Sequence, residues 1–198
     1  MVQRGQIIYL NGISSAGKSS IIKELHPRLT QPYFSIGIDL FIEMVQERYW
    51  NCEPAGFVVV RDEAGAHIVG GPVAHQIDQA MLHTVVALAA SGNNVLVDDV
   101  ILSSQTLENR VRMLADFEVW FIGVKCPLEV AEQRERERGD RTIGMAKAQF
   151  KRAHPLDIYD LEVDTSRSDP LECARQILSA LKDQPHPHAF RQLLNYNW

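Results

Sequence analysis

The sequence predicts an α/β fold in which a central parallel sheet lies between layers of helices. Three observations lead to this fold class. Short apolar runs alternate with helical patterns along most of the 198 residues. Two of the runs, 95–97 and 120–124, contain no charged residue, as expected for central strands that are buried on both faces. The first run is joined to the first helical pattern by a loop rich in glycine and serine.

The individual elements follow from the length and the flanks of these patterns. We expect strands at short apolar runs that lie between turn-forming residues, and helices where apolar residues recur at helical spacing. The predicted strands are 6–10, 33–37, 94–98, 119–125 and 160–163. The predicted helices are 18–29, 40–49, 72–91, 104–115, 128–138 and 170–182. Strands and helices alternate in this order, which places helices on both faces of a parallel sheet.

Two segments interrupt the alternation. Residues 57–60 and 67–69 flank a polar stretch and predict a small hairpin within an insertion, residues 41–73, near the active face. Residues 185–198 begin with proline and histidine and then become amphipathic, so this tail either packs as an extra helix or frays. We expect residues 1–184 to form one domain.

Composition narrows the class of protein. The net charge is −5 and no basic run stands clear of acidic residues, so nucleic acid is not an expected partner. The three cysteines are far apart, form no zinc or disulfide pattern, and fit a reducing cytosol. No segment resembles a signal peptide or a membrane span, and we expect a cytoplasmic protein without a membrane partner. The apolar residues of helix 72–91 belong either to the core or to a homo-oligomer interface.

The loop after the first strand reads GISSAGKS at residues 12–19, which is the spacing of a phosphate-binding loop (P-loop). Its glycines permit a backbone in which successive N–H groups point at phosphate oxygens, at the positive end of the following helix. Lys18 supplies a charge for the outer phosphates, and Ser19 offers its hydroxyl to Mg²⁺. The alternative interpretation is a structural turn rich in glycine and serine.

Acidic residues follow two of the predicted strands. Asp98 and Asp99 close the strand that contains 95–97, where a carboxylate can hold Mg²⁺. Asp98 is the first candidate, whereas Asp99 could cap the next element or face the acceptor, and a solvated turn is the alternative for both. Asp39 follows the second strand and could accept a proton from a substrate hydroxyl. It could equally be the N-cap of helix 40–49.

The stretch EQRERERGDR, residues 132–141, is dense in arginine. Arg134 and Arg138 are four residues apart and share a helix face, and Arg141 follows the glycine at 139 that is expected to end the helix. Arginines on a mobile segment could close over a nucleotide and neutralise charge on the transferred group. The interleaved glutamates favour a different interpretation, a salt-bridged solvent face.

Taken in order, these motifs resemble the chloramphenicol phosphotransferase family. The matching stretches are IIYLNGISSAGKSS, GID, VLVDDV, GVKCPLEVAEQRERERGDR, GMA and YDLEVDTS, and together they cover residues 6–182. The family has a P-loop kinase fold, a three-layer sandwich related to shikimate and nucleotide kinases. Its members transfer the γ-phosphate of ATP to a primary hydroxyl of chloramphenicol. The resemblance therefore implies an enzyme that uses ATP and Mg²⁺, with a lid at residues 134–146.

The resemblance also implies roles for individual residues. The acceptor-activating carboxylate falls on Asp39, the lid arginines on Arg138 and Arg141, and the loop beside the adenine on Thr165. The implied catalytic set is Asp39, Lys18, Arg138 and Arg141. The implied nucleotide-binding set is Gly12, Ser14, Ser15, Ala16, Gly17, Lys18, Ser19, Ser20, Arg134 and Thr165. Ser19 and Asp98 are the implied Mg²⁺ ligands.

The resemblance is weakest over residues 41–73, which would shape the acceptor pocket. The expected partner is a small molecule with a hydroxyl group, chloramphenicol-like by resemblance. One alternative is a P-loop kinase that acts on another metabolite or on a nucleoside. A second is a nucleotide-binding switch or NTPase that acts through a macromolecular partner, although the sequence contains no Asn-Lys-x-Asp motif for reading guanine.

Overall fold

A computed structural model describes residues 3–49, 56–63, 65–139, 143–184 and 186–198. The strands are β1 (Gln6–Asn11), β2 (Tyr33–Gly37), β3 (Phe57–Asp62), β4 (Gly65–Gly70), β5 (Asn94–Asp99), β6 (Glu118–Lys125) and β7 (Leu161–Asp164). The helices are α1 (Lys18–Leu25), α2 (Ile38–Glu43), α3 (Pro72–Ala90), α4 (Ser104–Met113), α5 (Leu128–Arg138), α6 (Met145–Phe150), α7 (Pro170–Asp183) and α8 (Ala189–Leu194). None of the helices in these ranges has the length and apolarity needed to cross a bilayer.

The predicted fold class is confirmed by the sheet. Within the described residues, β2, β5, β1, β6 and β7 lie in that order, and each pair of neighbours is parallel. β1 is the central strand, with Ile7 opposite Val95 of β5 and Val119 of β6. Asp98 near the end of β5 lies opposite Leu10 of β1 and Gly37 of β2. The register therefore brings the loops that follow these three strands together at one edge of the sheet.

Both faces of the sheet are buried, which explains why β1 is apolar at consecutive positions. Ile8 and Leu10 belong to a core that includes residues of α1 and α7. Ile7 and Tyr9 belong to a second core on the opposite face, formed with residues of α3, α4 and α8. Most of the buried residues of α3 lie in this second core, so its apolar face packs inside the fold.

Three differences between the predicted and the observed helices exceed a shift of one or two residues at an end. α1 ends at Leu25 and continues as a 3₁₀ turn, because Pro27 has no N–H group with which to continue the α-helical ladder. The predicted helix 40–49 divides into α2 and a separate 3₁₀ turn over Glu47–Tyr49. The six-residue helix α6 was not predicted, because so short a segment carries no helical periodicity that can be recognised.

The predicted hairpin is confirmed as an antiparallel pair, β3 and β4, in which Arg61 lies opposite Ala66. It forms its own two-stranded sheet rather than extending the main one. The backbone N–H of Ala66, a buried residue, donates to the carbonyl of Gly144 at 3.3 Å, just before α6. The hairpin therefore packs against α6. Residues 50–55 and 64 of the predicted insertion lie outside the described residues.

The tail forms α8, which packs on the second core. Phe190 is buried and stacks on Phe121 of β6, with 5.1 Å between ring centroids. The start of α8 is attached to the sheet by Asp160, whose side chain is fully buried. The Asp160 carboxylate accepts the backbone N–H groups of Phe121 at 2.8 Å, His188 at 2.6 Å and Ala189 at 2.9 Å. Of the two expectations for the tail, packing as a helix is correct.

Replacing Asp160 with alanine is expected to lower the free energy of unfolding by about 3 kcal/mol, because three N–H groups, two of them buried and one partly buried, lose a charged acceptor. Urea unfolding monitored by circular dichroism measures the change. The matched control is Asp183→Ala, since Asp183 is exposed at the end of α7 and accepts the Ser179 hydroxyl. That change is expected to cost less than about 0.5 kcal/mol. Equal losses in the two variants would contradict the attachment of α8 through Asp160.

Candidate active site

The loop between β1 and α1 has the backbone of a phosphate-binding loop. A Cβ at Gly12 would lie 2.5 Å from the carbonyl oxygen of Val124, so only glycine fits there. Gly17 has φ +98°, in the left-handed region, and it immediately precedes α1. Ser15 also has a positive φ, +61°. Its hydroxyl oxygen is buried and makes no hydrogen bond within the described part of the chain, so a group that fills the loop would satisfy it.

Lys18 is buried at the centre of this loop, with 6% of its side chain exposed. Its ammonium donates to the carbonyl oxygens of Gly12 at 2.8 Å and Ile13 at 3.1 Å. It also lies 3.4 Å from Oδ1 of Asp98. The Ser19 hydroxyl donates to the other carboxylate oxygen of Asp98 at 2.8 Å. The loop and the end of β5 therefore present one ammonium, one hydroxyl and one carboxylate together.

The pair Ser19 and Asp98 is suited to Mg²⁺. Magnesium favours oxygen ligands, keeps several of its waters, and is bound in such sites by one or two carboxylates together with substrate phosphates. No group of three or more His, Cys, Asp and Glu side chains in the described ranges is arranged for a metal ion. A site that combines Ser19, Asp98 and nucleotide phosphates does not need such a group.

Asp99 faces the opposite side of the sheet from Asp98. It is buried, accepts the phenol O–H of Tyr9, and accepts Nε–H of Arg110 at 3.2 Å. Burial, with the negative charge of Asp99, raises the pKa of Tyr9, so the phenol remains a donor. In the described part of the chain, Asp98 contacts both Lys18 and Ser19, whereas Asp99 accepts from Tyr9, Arg110 and the backbone N–H of Val100. Asp98 is therefore the carboxylate at the P-loop.

Asp39 lies in the first turn of α2, one residue after the helix begins. The N-cap of α2 is Gly37, so the interpretation of Asp39 as an N-cap is wrong. β2 ends at Gly37, opposite Asp98, and a Cβ at Gly37 would lie 3.3 Å from the carbonyl oxygen of Asp98. This close approach starts α2 directly beside the P-loop, and Asp39 lines the same cleft as Lys18 and Asp98.

The three predicted arginines have different positions. Arg138 is the last residue of α5, lines the cleft, and precedes Gly139, which ends the helix with φ +67° as expected. Arg134 donates to the Thr165 hydroxyl at 2.9 Å and to the Thr165 carbonyl at 2.7 Å. The Thr165 hydroxyl donates to the carbonyl of Ala16 at 2.7 Å, so Arg134 and Thr165 together brace the P-loop. Arg141 lies outside the described residues.

Two side chains of the lid region were not predicted. Glu135 is buried rather than on a solvent face, and its carboxylate accepts the N–H groups of Gly144 at 2.7 Å and Ala146 at 2.9 Å. It thereby caps α6. Gln149 of α6 accepts the Ser14 N–H at 2.7 Å, which links α6 to the P-loop. The charge alternation around Glu135 is typical of an exposed helix, and a glutamine on a six-residue helix gives no signal in the sequence.

Asn11, the last residue of β1, organises the loops around the P-loop. Its amide donates to the carbonyl of Ala153 at 2.7 Å and to the Tyr159 hydroxyl at 2.8 Å, and its oxygen accepts the N–H of Ile101 at 2.8 Å. The Tyr159 hydroxyl lies 2.7 Å from Nδ1 of His154. Burial raises the pKa of Tyr159, and burial lowers the pKa of His154 to about 4. The neutral His154 ring therefore accepts a hydrogen bond from the Tyr159 hydroxyl, which keeps its proton.

Stability is expected to depend on pH through His154. Its pKa is about 4 in the folded protein and 6.5 ordinarily. The unfolded chain therefore binds more protons between these values, and the contribution of His154 is present above pH 6.5 and lost as the pH falls towards 4. Urea unfolding from pH 7 to pH 4 should show a steeper loss in the parent than in His154→Asn, which keeps an acceptor but does not titrate. Parallel pH profiles would contradict this assignment.

The P-loop, Asp39, Asp98 and Arg138 line one cleft of about 710 Å³, within the usual range for small-molecule sites. The P-loop, the start of α1, β2, α2 and α3 all contribute to its lining. The helices α1 and α3 pack on opposite faces of the sheet, so the P-loop side and the α3 side form two opposite walls. The predicted site residues that line it are Ser14, Ser15, Gly17, Lys18, Ser19, Ser20, Asp39, Asp98 and Arg138. Arg134 and Thr165 lie beside the loop, Gly12 and Ala16 lie within it, and these four predicted residues are not among those that line the cleft.

Comparison with known proteins extends the similarity beyond the P-loop. Residues 5–182 match the family described as chloramphenicol phosphotransferase-like protein. Two proteins of Mycobacterium tuberculosis, from strains H37Rv and CDC 1551, are each 31% identical over 199 residues. Each alignment covers 96% of this chain and 88% of the relative, and both relatives are named as candidate O-phosphotransferases.

Kinases are among the solved structures that share this fold. The APS kinase CysC of Mycobacterium tuberculosis, in complex with AMPPNP and APS, has a TM-score of 0.64 at 16% identity, over 90% of this chain and 98% of the other. Shikimate kinase from Acinetobacter baumannii, in complex with shikimate, has a TM-score of 0.61 at 14% identity, over 91% and 95%. At these identities the likeness establishes the P-loop kinase fold.

Proposed function

The chain belongs to the chloramphenicol phosphotransferase-like protein family, and from this premise we propose that it transfers the γ-phosphate of ATP to a hydroxyl group of a small molecule. Family and fold make it a P-loop phosphotransferase. The donor, the acceptor group and the residue roles are the proposal. One observation supports it above the others: Asp39, Lys18, Ser19, Asp98 and Arg138 line a single cleft.

The P-loop would hold the nucleotide. Its N–H groups and the Lys18 ammonium would bind the β- and γ-phosphates, and the orphaned Ser15 hydroxyl would gain a partner. Ser19 and Asp98 would hold Mg²⁺, which neutralises phosphate charge when bound. The Ser14 N–H donates to the side chain of Gln149 in this structure. A phosphate that accepts this N–H would release Gln149, so the contact between α6 and the loop would depend on whether nucleotide is bound. Arg134 and Thr165 would keep the loop in place from the adenine side.

The transfer step would join the acceptor oxygen to the γ-phosphorus and break the bond between that phosphorus and the bridging oxygen of ADP. The acceptor hydroxyl loses its proton to Asp39. The position of α2, which starts at the edge of the sheet beside Asp98, supports this role for Asp39. Arg138 would stabilise charge on the transferred group, and Arg141 is proposed for the same role. Such transfer depends mainly on positioning and electrostatics.

The acceptor proposed for the first experiment is chloramphenicol, since the family is named after it. The protein is incubated with chloramphenicol, ATP and Mg²⁺, and the products are analysed by mass spectrometry. A phosphorylated product is expected, and it should disappear when AMPPNP replaces ATP or when EDTA removes the metal.

The negative outcomes distinguish the alternatives. If chloramphenicol is unchanged but other hydroxyl compounds or nucleosides are phosphorylated, the protein is a kinase of a different metabolite. If no compound is phosphorylated and a macromolecule is bound in a nucleotide-dependent way, the proposal is wrong and the protein is a switch.

A further inference from the structure

The wall of the cleft opposite the P-loop carries a carboxylate that the proposed chemistry does not use. Ala74 and Asp78 of α3 are four residues apart, so they share a helix face, and both line the cleft. Asp39 of α2 lines the same wall. Asp78 is therefore on the side where a small-molecule acceptor would lie, away from the residues that would hold phosphates.

Asp78 is held in place by a buried arginine. Arg110 of α4 has 1% of its side chain exposed. Its guanidinium donates to both carboxylate oxygens of Asp78, and the distance from Nη1 to Oδ2 is 3.1 Å. The Nε–H of Arg110 donates to Asp99 on the far side. Because the guanidinium fork is rigid and bonded at both ends, it fixes the orientation of the Asp78 carboxylate.

The carboxylate of Asp78 is exposed to the cleft, whereas the guanidinium of Arg110 is buried. About a third of the Asp78 side chain is exposed, 32%, against 1% of Arg110. One guanidinium between two carboxylates leaves one net negative charge. Each carboxylate oxygen can accept about two hydrogen bonds. Oδ2 of Asp78 accepts from Arg110 and from the amide of Gln79 at 3.5 Å, whereas Oδ1 accepts from Arg110, so acceptor capacity remains at Oδ1 for a donor in the cleft.

The same wall contains no cation among the described lining residues. Those contributed by β2, α2 and α3 are Ser35, Ile36, Gly37, Ile38, Asp39, Leu40, Ile42, Ala74 and Asp78. The lysines and arginines that line the cleft, Lys18, Lys23, Arg138 and Arg152, lie on α1, at the end of α5 and just after α6. The acceptor wall is therefore apolar with fixed negative charge.

We propose that Asp78 determines the specificity of the acceptor site. Its carboxylate accepts a hydrogen bond from a hydroxyl or ammonium group of the small molecule, and it excludes small molecules that carry carboxylate or phosphate groups. The inference rests on the proposed function and names its substrate class: uncharged or cationic compounds with an apolar body and at least two hydrogen-bond donors. One donor is the phosphorylated hydroxyl and the other binds Asp78. An anionic acceptor would meet the exposed carboxylate of Asp78, whose guanidinium partner, Arg110, is buried behind it.

The first test is a panel of hydroxyl compounds in three sets of matched size: neutral, cationic and anionic. Each is incubated with the protein, ATP and Mg²⁺, and phosphorylated products are quantified by mass spectrometry. We expect products from the neutral and cationic sets, with kcat/KM for anionic compounds at least about a hundredfold lower. Comparable kcat/KM for anionic acceptors would overturn the inference and leave the proposed function intact. No product from any set, with ATP still bound, would overturn both.

The second test assigns the selectivity to Asp78. The amide of Asp78→Asn keeps the size of the side chain and can still accept from Arg110, but it removes the charge. The ratio of kcat/KM for a cationic acceptor to that for a neutral acceptor of the same shape is expected to fall about tenfold. This ratio does not depend on the fraction of folded enzyme.

The matched control for this variant is Tyr9→Phe, which removes a hydrogen-bonding hydroxyl from the buried side of the same arginine, at a residue that is not among those lining the cleft. It is expected to lower the melting temperature without changing the selectivity ratio. An unchanged ratio in Asp78→Asn, or the same change in both variants, would reduce Asp78 to a structural partner of Arg110.

Discussion

Replacing Lys18 with alanine is expected to lower kcat for phosphotransfer at least about a thousandfold, because a preorganised charge at the transferred phosphate is worth several kcal/mol in a site that excludes water. The ammonium is held by the carbonyls of Gly12 and Ile13 and by Asp98, so it needs little rearrangement when phosphate enters. Initial rates with the acceptor found by mass spectrometry measure the loss.

Folding of the Lys18 variant should be nearly preserved. Asp98 keeps its hydrogen bond from Ser19 and is partly exposed to solvent, so it is not left as a buried unpaired charge. The matched control is Lys182→Ala, an exposed lysine of α7, which should turn over at the parental rate. Near-parental kcat in Lys18→Ala, measured on protein with a normal melting temperature, would refute the assignment of residues 12–19 as the catalytic phosphate site.

The second large effect is expected at Asp39. The change Asp39→Asn keeps the shape of the side chain and removes its basicity, so kcat should fall by about a hundredfold to ten-thousandfold. The KM for ATP should stay close to that of the parent, because Asp39 lies on α2 and not in the P-loop. Steady-state kinetics with ATP and acceptor varied separately distinguish these two effects.

The control for Asp39 lies on the same helix. Glu43, an exposed residue at the end of α2, is not among the residues that line the cleft, and Glu43→Gln should leave kcat within about twofold of the parent. If Asp39→Asn transfers phosphate at the parental rate, another group must take the proton of the acceptor. If both variants lose activity equally, α2 affects folding rather than chemistry.

The P-loop could be predicted from the sequence because its geometry is local. Glycines, the lysine and the serine act on their own loop and on the helix that follows directly, so spacing alone specifies them. The choice between Asp98 and Asp99 required the structure. Neighbouring strand residues point to opposite faces, and only the positions of α1 and α4 determine which face holds the P-loop.

Side chains that act over long sequence distances gave no signal. Glu135 lies among arginines and glutamates, and its burial depends on the backbone of residues 144–146 folding over it. In the sequence, Asp78 resembles any polar residue of an amphipathic helix. Its role depends on the contact with Arg110, which lies 32 residues away and is shown by the structure alone. Arg141 lies outside the described residues, and its role remains a prediction.

The position of α8 affects where the chain can be cut. The family match ends at residue 182, which suggests a natural boundary for a shortened protein. A protein ending there would lose Phe190 and Leu193, which are 5% and 0% exposed, and would uncover the ring of Phe121 on the central sheet. It would also leave two oxygens of a buried carboxylate with one backbone donor, Phe121, in place of three. The region matched by the family model is therefore completed in this chain by a segment beyond the match, and a purification tag belongs beyond Trp198 and not in place of the tail.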